Sequence, residues 1–305
     1  MGTTDIYHSL IKIRDSISSL YQTLSKSEFI TSAMRNATSA LRNNQRILYL
    51  GSNYSGQVGV IDSSECPPTF GAEFRDVQSY LYEGWKCLGV DEDSLPDERM
   101  YKIGYDYFKS SIEVQEFDFV VGLSINGDLP EEIQSFLIED LQCEKVVINV
   151  HDLEQDGLVL DNVKVLNIPV NQSFLTSVIA LKLTVNLIST SAHVFIGKVF
   201  SNRMVDLKLS NTKLVTRAAV TLSKILNISY DEARQFVLQS VYEGNYQFDP
   251  SKSDLDHVDA AAGRQFIVPK AILLGLGFSY SEAESVVLKS VDSGEPIRSV
   301  IASRL

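Results

Sequence analysis

The segment GSNYSGQVGVIDSSECPPTFG, Gly51 to Gly71, directly follows the short apolar run ILYLG, Ile47 to Gly51. A β-rich run that ends in small residues and continues into a helical pattern reads as a strand turning sharply into a helix. Small residues there let the backbone approach a ligand closely. Ser52 and Ser55 supply hydroxyls. A helix opening near Ser55 supplies unpaired N–H groups and the positive end of its dipole, which is chemistry suited to a phosphate. No GxGxxG and no Gly-Lys-Ser/Thr follows, so neither a dinucleotide fingerprint nor a Walker loop is read here. Further on, Glu65 precedes Cys66-Pro67-Pro68. The two prolines are expected to stop the helix and fix the chain after it. A carboxylate at such a rigid end is solvated, salt-bridged or a positioned acid/base.

Three other runs resemble ILYLG: FDFVVGL (Phe117 to Leu123), KVVINV (Lys145 to Val150) and VKVLNI (Val163 to Ile168). Each is mostly apolar, as expected of strands buried on both faces of a parallel sheet. Helical stretches such as Glu131 to Leu141 lie between them. Alternation of strand and helix predicts a doubly wound α/β domain, with its ligand beyond the carboxyl ends of the strands. Upstream, Ile6, Leu10, Ile13, Ile17, Leu20 and Leu24 form a helical seam, read as intramolecular packing or a subunit contact. A second helix carries Ile30, Ala33, Met34, Ala37 and Leu41 on one face. From about Asn211 the chain reads as all-helical. ISYDEARQFVLQS (Ile228 to Ser240) is echoed by FSYSEAESVVLKS (Phe278 to Ser290). Both open on a Ser-x-x-Glu capping box, Ser229 with Glu232 and Ser279 with Glu282, and bury Phe236 and Val237 or Val286 and Val287. Between the echoes, Tyr242 to Arg264 is expected to be a mobile polar loop. The predicted division is 1–43, N-terminal helices; 44–210, the α/β domain; and 211–305, a small all-α domain.

The bulk numbers fit this. The 305 residues are 44% hydrophobic and 22% charged, as in a soluble globular protein, and carry a net charge of −12. Such a charge argues against nucleic acid as a partner, and no apolar run is read as long enough to span a bilayer. The N-terminus shows neither a basic nor an apolar signal region. Three scattered cysteines, Cys66, Cys87 and Cys143, make no disulfide framework and no zinc spacing, so a reducing cytoplasm is expected and no metal. His8, His151, His193 and His257 are isolated and are read as structural or exposed. Trp85 and the nearby tyrosines are read first as core or surface packing and second as the lining of a pocket.

The Gly51 to Gly71 segment resembles the N-acetylmuramic acid 6-phosphate etherases, whose version runs close to GxGTSGRLGxLDASECPPTFG. GKVFSNRMVDLKLSNTKLVTRA (Gly197 to Ala218) resembles the family's GKVxGNLMVDxxxxNxKLxxRA, and SYSEAESVVLKSVDSGEPIRSVI resembles its helical tail. The resemblance implies a sugar isomerase (SIS) fold: a parallel-sheet domain with N-terminal helices and a helical C-terminal domain, a homodimer, and no cofactor. The same superfamily holds the glucokinase regulatory protein, which binds sugar phosphates without turning them over and acts on a partner protein. For etherase chemistry the resemblance assigns Glu65, in its SECPP context, as catalytic acid. The family's second carboxylate, in EGAED, falls in GVDEDSLPDERMYKIG. A gapless match places Arg99 there, with Glu98 one step away and Glu92 in an EDS triplet; Glu98 is ranked first and Glu92 second. The phosphate is expected on Ser52, Ser55, Gly56, Asn126, Gly127 and Ser173. The family's cations are missing. Asn126-Gly127-Asp128-Leu129 replaces Ser-Gly-Arg-Thr, Gln57 replaces Arg, and Phe174 and Thr176 replace Arg and Lys.

Overall fold

The computed structural model describes residues 3–91, 94–96, 98, 101–170 and 174–305, and only the backbone of residues 3–10, 12, 13 and 16. The chain forms two units, Met1–Ser64 with Phe74–Ala192, and Glu65–Glu73 with His193–Leu305. The first begins with α1 (Thr3–Ser25) and α2 (Glu28–Arg42), followed by β1 (Ile47–Gly51), α3 (Asn53–Phe70) and β2 (Val77–Leu81). A 3-10 turn (Gly84–Leu88) leads to α4 (Tyr105–Ser111), β3 (Phe119–Ile125), α5 (Glu131–Ile138), β4 (Glu144–Asp152), β5 (Lys164–Val170) and α6 (Phe174–Phe195). Ile6, Leu10 and Ile13 of the expected seam lie outside the described side chains. Leu20 and Leu24 are buried and Ile17 is half-buried.

The five strands form one parallel sheet in the order β2-β1-β3-β4-β5. Strand β2, VQSYL, is absent from the sequence reading because its polar Gln78 and Ser79 break the apolar pattern. The sheet's alternation sorts the core. Leu48, Leu50, Val120 and Val147 join Phe108, Ile133 and Leu137 of α4 and α5 in one buried cluster. On the opposite face α3 lies so close that a Cβ on Gly59 would meet Ser79 Oγ at 2.5 Å and Tyr49 Cβ at 3.1 Å. Successive residues of a strand point to opposite faces, so both faces are covered and the interior strands read as continuous apolar runs. β5 is the exception. It is an edge strand, and most of its residues are half-buried or exposed.

Helix α3 does not stop at its prolines: it runs through Pro67 and Pro68 to Phe70. Proline's fixed φ suits a helix, and its cost is a lost N–H and a clash with the preceding turn. That cost falls in the last turn, where the Pro67 carbonyl accepts from Gly71 N at 3.1 Å and the Pro68 carbonyl from Lys208 N at 3.2 Å. Along the same helix, Asp62 is almost fully buried. It accepts from Tyr49 Oη at 3.1 Å and pairs with Lys182 Nζ of α6 at 2.8 Å. Contrary to the sequence reading, α6 is by length and composition a helix that could cross a membrane. Half of its apolar window is buried inside the protein, as in the core helix of a globular fold, and it carries the Lys182 that neutralises Asp62.

The second unit carries a two-stranded hairpin, β6 (Val199–Phe200) and β7 (Arg203–Met204), and then α7 (Thr212–Leu226), α8 (Tyr230–Val241), α9 (Asp254–Ala261), α10 (Ile267–Gly275), α11 (Tyr280–Ser293) and α12 (Ile297–Ala302). Val237 and Val287 are buried in its core, with Phe236 and Val286 packed against them. Ser279 and Glu282 form a reciprocal capping box, while Ser229 caps the Glu232 N–H. The segment expected to be a mobile loop contains α9. Ser253 and Asp256 form a capping box there, and His257 and Ala261 are buried. His257 Nδ1 meets Tyr242 Oη at 3.0 Å.

Two predictions follow from these buried groups. Lys182→Met removes the Lys182 ammonium from the buried Asp62 carboxylate, at an expected cost of about 3–5 kcal/mol, the scale of breaking a buried pair. Adding Asp62→Asn should recover most of that loss in urea denaturation. Burial pushes the His257 pKa below its ordinary value, and Arg234 adds to the effect. The unfolded chain therefore takes up the proton more readily, so this stability is complete above the unfolded pKa, about 6.5, and declines as pH falls through it. The unfolding midpoint should drop between about pH 7.5 and pH 5.5 by more in the parent than in His257→Gln.

Candidate functional site

The chain leaves β1 for β2 on one side of the sheet and returns to β3 on the other. The order reverses between β1 and β3, and the crevice beyond their carboxyl ends is where such sheets bind ligands. Two loops meet there. In the first, Gly51 and Gly56 close the turn from β1 into α3: a Cβ on Gly56 would lie 2.9 Å from the Gly51 carbonyl oxygen. Ser52 and Ser55 are buried. Ser55 Oγ donates to the Ser52 carbonyl at 2.8 Å, and the Gly56 N–H donates to the same oxygen at 3.0 Å. Asn53, with φ +45°, opens the helix.

The second loop follows β3. Asn126 and Gly127 adopt φ +57° and +77°. The Asn126 N–H donates to the Val150 carbonyl at 2.8 Å and the Gly127 N–H to Asn149 Oδ1 at 3.0 Å. Asn149 Nδ2 in turn donates to Asn167 Oδ1 at 2.9 Å, so β4 and β5 brace the loop through their asparagines. Ser52 Oγ reaches the Asp128 carbonyl at 3.4 Å and Asn53 Nδ2 donates to Asp128 Oδ2 at 3.0 Å, joining the two loops.

Of the residues read from sequence, Ser52, Ser55, Gly56, Asn126 and Gly127 thus lie on these two loops. Glu65 is exposed further along α3, in the second unit. Glu98 is exposed in the first unit. Ser173, Glu92 and Arg99 lie outside the described residues. Among the described residues no cluster of His, Cys, Asp and Glu could hold a metal ion.

Glu83 escaped the sequence reading. Its Oε2 accepts the Asn53 N–H at 3.1 Å. It follows β2, so missing that strand hid it. Tyr82 N–H donates to the Gly51 carbonyl at 2.9 Å, which ties this loop to the β1 turn. Beside Glu83 lies a cavity of about 140 Å³ lined by Tyr82, Trp85, Tyr101, Lys102 and Tyr105 among others. Trp85 Nε1 donates to the Tyr101 carbonyl at 2.5 Å. Trp85 and its tyrosines therefore wall a cavity as well as pack. Burial drives the Tyr105 phenol up to about 12, so it stays neutral and donates to the Glu132 carbonyl at 3.0 Å. The Tyr82 phenol is also raised, first by its hydrogen bond to the Glu132 carboxylate. At the start of α6, exposed Phe174 stands edge-on to exposed Tyr54, with ring centroids 4.6 Å apart.

A parallel sheet with a small-residue loop and a helix N-terminus at its switch point defines a doubly wound α/β ligand-binding domain, and the match over its sequence makes it an SIS domain. Residues 24–156 match the family model of the second SIS domain of glucokinase regulatory protein, and residues 201–301 match that of its C-terminal lid domain. An N-acetylmuramic acid 6-phosphate etherase of Salmonella schwarzengrund is 32% identical over 244 residues, 77% of this chain and 79% of the relative. One from Bacillus cytotoxicus is 29% identical over 220 residues, 68% of this chain and 72% of the relative. The chain belongs to the N-acetylmuramic acid 6-phosphate etherase family.

The turn itself is testable. Gly56→Ala forces the start of α3 away from β1 and should cost about 1–3 kcal/mol in urea denaturation, as overpacking does.

Proposed function

We propose that the chain binds a sugar phosphate in the β1/β3 crevice and cleaves the D-lactyl ether of N-acetylmuramic acid 6-phosphate. The observation that supports this most is the small-residue turn that opens α3 into the crevice, within the segment that matches an SIS domain. Backbone N–H groups at a helix N-terminus bind phosphate even in an acidic protein. Ser52, Ser55, Gly56, Asn126, Gly127 and Ser173 surround the phosphate in this reading, within a 44–210 sugar-phosphate domain followed by the 211–305 helical domain.

The chemistry is elimination followed by hydration. A base takes the proton at the sugar's C2, the C3–oxygen bond breaks, and an acid protonates the departing lactyl oxygen; water then adds at C3. A carboxylate performs either task when its surroundings bring its pKa toward the working pH. Glu65 is the acid in this reading. Glu98 is the base, with Glu92 as second choice. The protein acts in the cytoplasm as a homodimer.

A second reading, a catalytically silent sugar-phosphate sensor acting on a partner protein, is favoured by a specific observation. Gln57, Phe174 and Thr176 stand where the etherases carry cations, and the carboxylate of Glu83 holds the first amide of α3.

Purified protein given N-acetylmuramic acid 6-phosphate should release D-lactate, and Glu65→Ala should reduce the rate at least about 100-fold, the scale of a lost general acid. Thermal stabilisation by the substrate without lactate release would select the sensor instead. Neither lactate nor stabilisation would sink both readings.

A further inference from the structure

The N-terminus of α3 already seats an anion of the chain's own. Glu83 Oε2 accepts the Asn53 N–H at 3.1 Å, and this amide opens α3. It is the kind of donor a phosphate uses at a helix N-terminus. One N–H cannot serve two anions, and two negative charges in contact repel. Glu83 is half-buried, and among the described residues no lysine or arginine pairs with it. Two features would let it leave. Gly84, its neighbour, has φ +60° and begins the 3-10 turn, so the backbone is held at Gly84 without involving the Glu83 side chain. The cavity of about 140 Å³ also borders Glu83, and its wall includes Lys86 as well as Trp85 and Tyr101. A withdrawn carboxylate therefore has room, and a cation to face.

We infer that Glu83 is an internal competitor for the phosphate subsite and so determines the affinity of that subsite. Its carboxylate rests on the Asn53 N–H and swings into the neighbouring cavity when a phosphate takes the amide. The inference rests on the phospho-sugar reading above. Affinity for phosphate is then a difference between two anions on one donor, and it is weak by construction. Asp128, held by Asn53 Nδ2 rather than by the amide, adds repulsion but does not occupy the donor. Its removal helps less.

The test is isothermal titration with inorganic phosphate at constant ionic strength, on the parent, Glu83→Gln, Glu83→Ala, Asp128→Asn and the control Glu131→Gln. Glu131 is an exposed carboxylate in the first turn of α5. Both Glu83 variants should bind phosphate at least ~10-fold more tightly than the parent, Asp128→Asn by a smaller factor, and Glu131→Gln no differently. Without phosphate, Glu83→Ala should melt below the parent, because a seated cap has been lost; with phosphate the order should reverse. Equal phosphate affinity in the parent and both Glu83 variants would overturn the competitor while leaving the phospho-sugar reading intact. An equal gain in Glu131→Gln would reduce the effect to net charge and also overturn it. No phosphate binding by any of the five proteins would overturn the phospho-sugar reading, and the competitor with it.

Discussion

Everything at this site depends on how closely α3 lies on β1. Gly56 leaves no room for a Cβ against the Gly51 carbonyl, and Gly59 none against Ser79 and Tyr49 on the next turn. A helix held at that distance keeps its first amides at the carboxyl end of β1. A larger residue at either position would lift the helix and turn those amides away. The polar counterpart of this contact is the buried Asp62, which faces Tyr49 on the strand and Lys182 on α6. A buried carboxylate is tolerated only when paired and hydrogen-bonded. Asp62 therefore fixes α3 against both neighbours, and the helix has little freedom to slide.

The electrostatics of the site follow from what surrounds that rigid helix end. A helix N-terminus carries roughly half a positive charge. In this chain Glu83 sits on the first amide and Asp128 on the side chain of the same residue, Asn53. The second loop spends the Asn126 and Gly127 amides on the Val150 carbonyl and the Asn149 side chain. The Ser55 hydroxyl is spent on the Ser52 carbonyl. Much of the donor capacity around the helix end is thus already committed. An incoming anion would have to replace an existing contact.

How far the sequence revealed this depended on the kind of constraint. ILYLG was read at its exact bounds because a central strand must be apolar on both faces. VQSYL was not read, since an edge strand tolerates a glutamine and a serine, and Glu83 was lost with it. The prolines after Glu65 were read as a stop, because sequence alone does not show that Gly71 and Lys208 satisfy their carbonyls at the helix end. The α9 segment was read as loop because it is short and acidic. Its helix rests on the Ser253 cap and on burying His257, and the second of these is a tertiary fact. Motifs of local physics, such as the Ser279 capping box, were legible. Contacts between distant segments were not.

The segment that identifies the family is also the segment most tightly bound by packing. Gly51, Gly56 and Gly59 answer to the sheet beneath them whatever ligand lies above, so their presence reports the fold before it reports a reaction. The charge around the N-terminus of α3 is set by residues outside that contact: Glu83 from the loop after β2 and Asp128 from the loop after β3. These positions meet solvent or a cavity rather than the core, so a change of charge there leaves the scaffold standing. Close agreement along Gly51 to Gly71 is therefore compatible with either lyase or sensor. What separates the two is whether a bound sugar phosphate is turned over, which depends on carboxylates and not on the packing of these glycines.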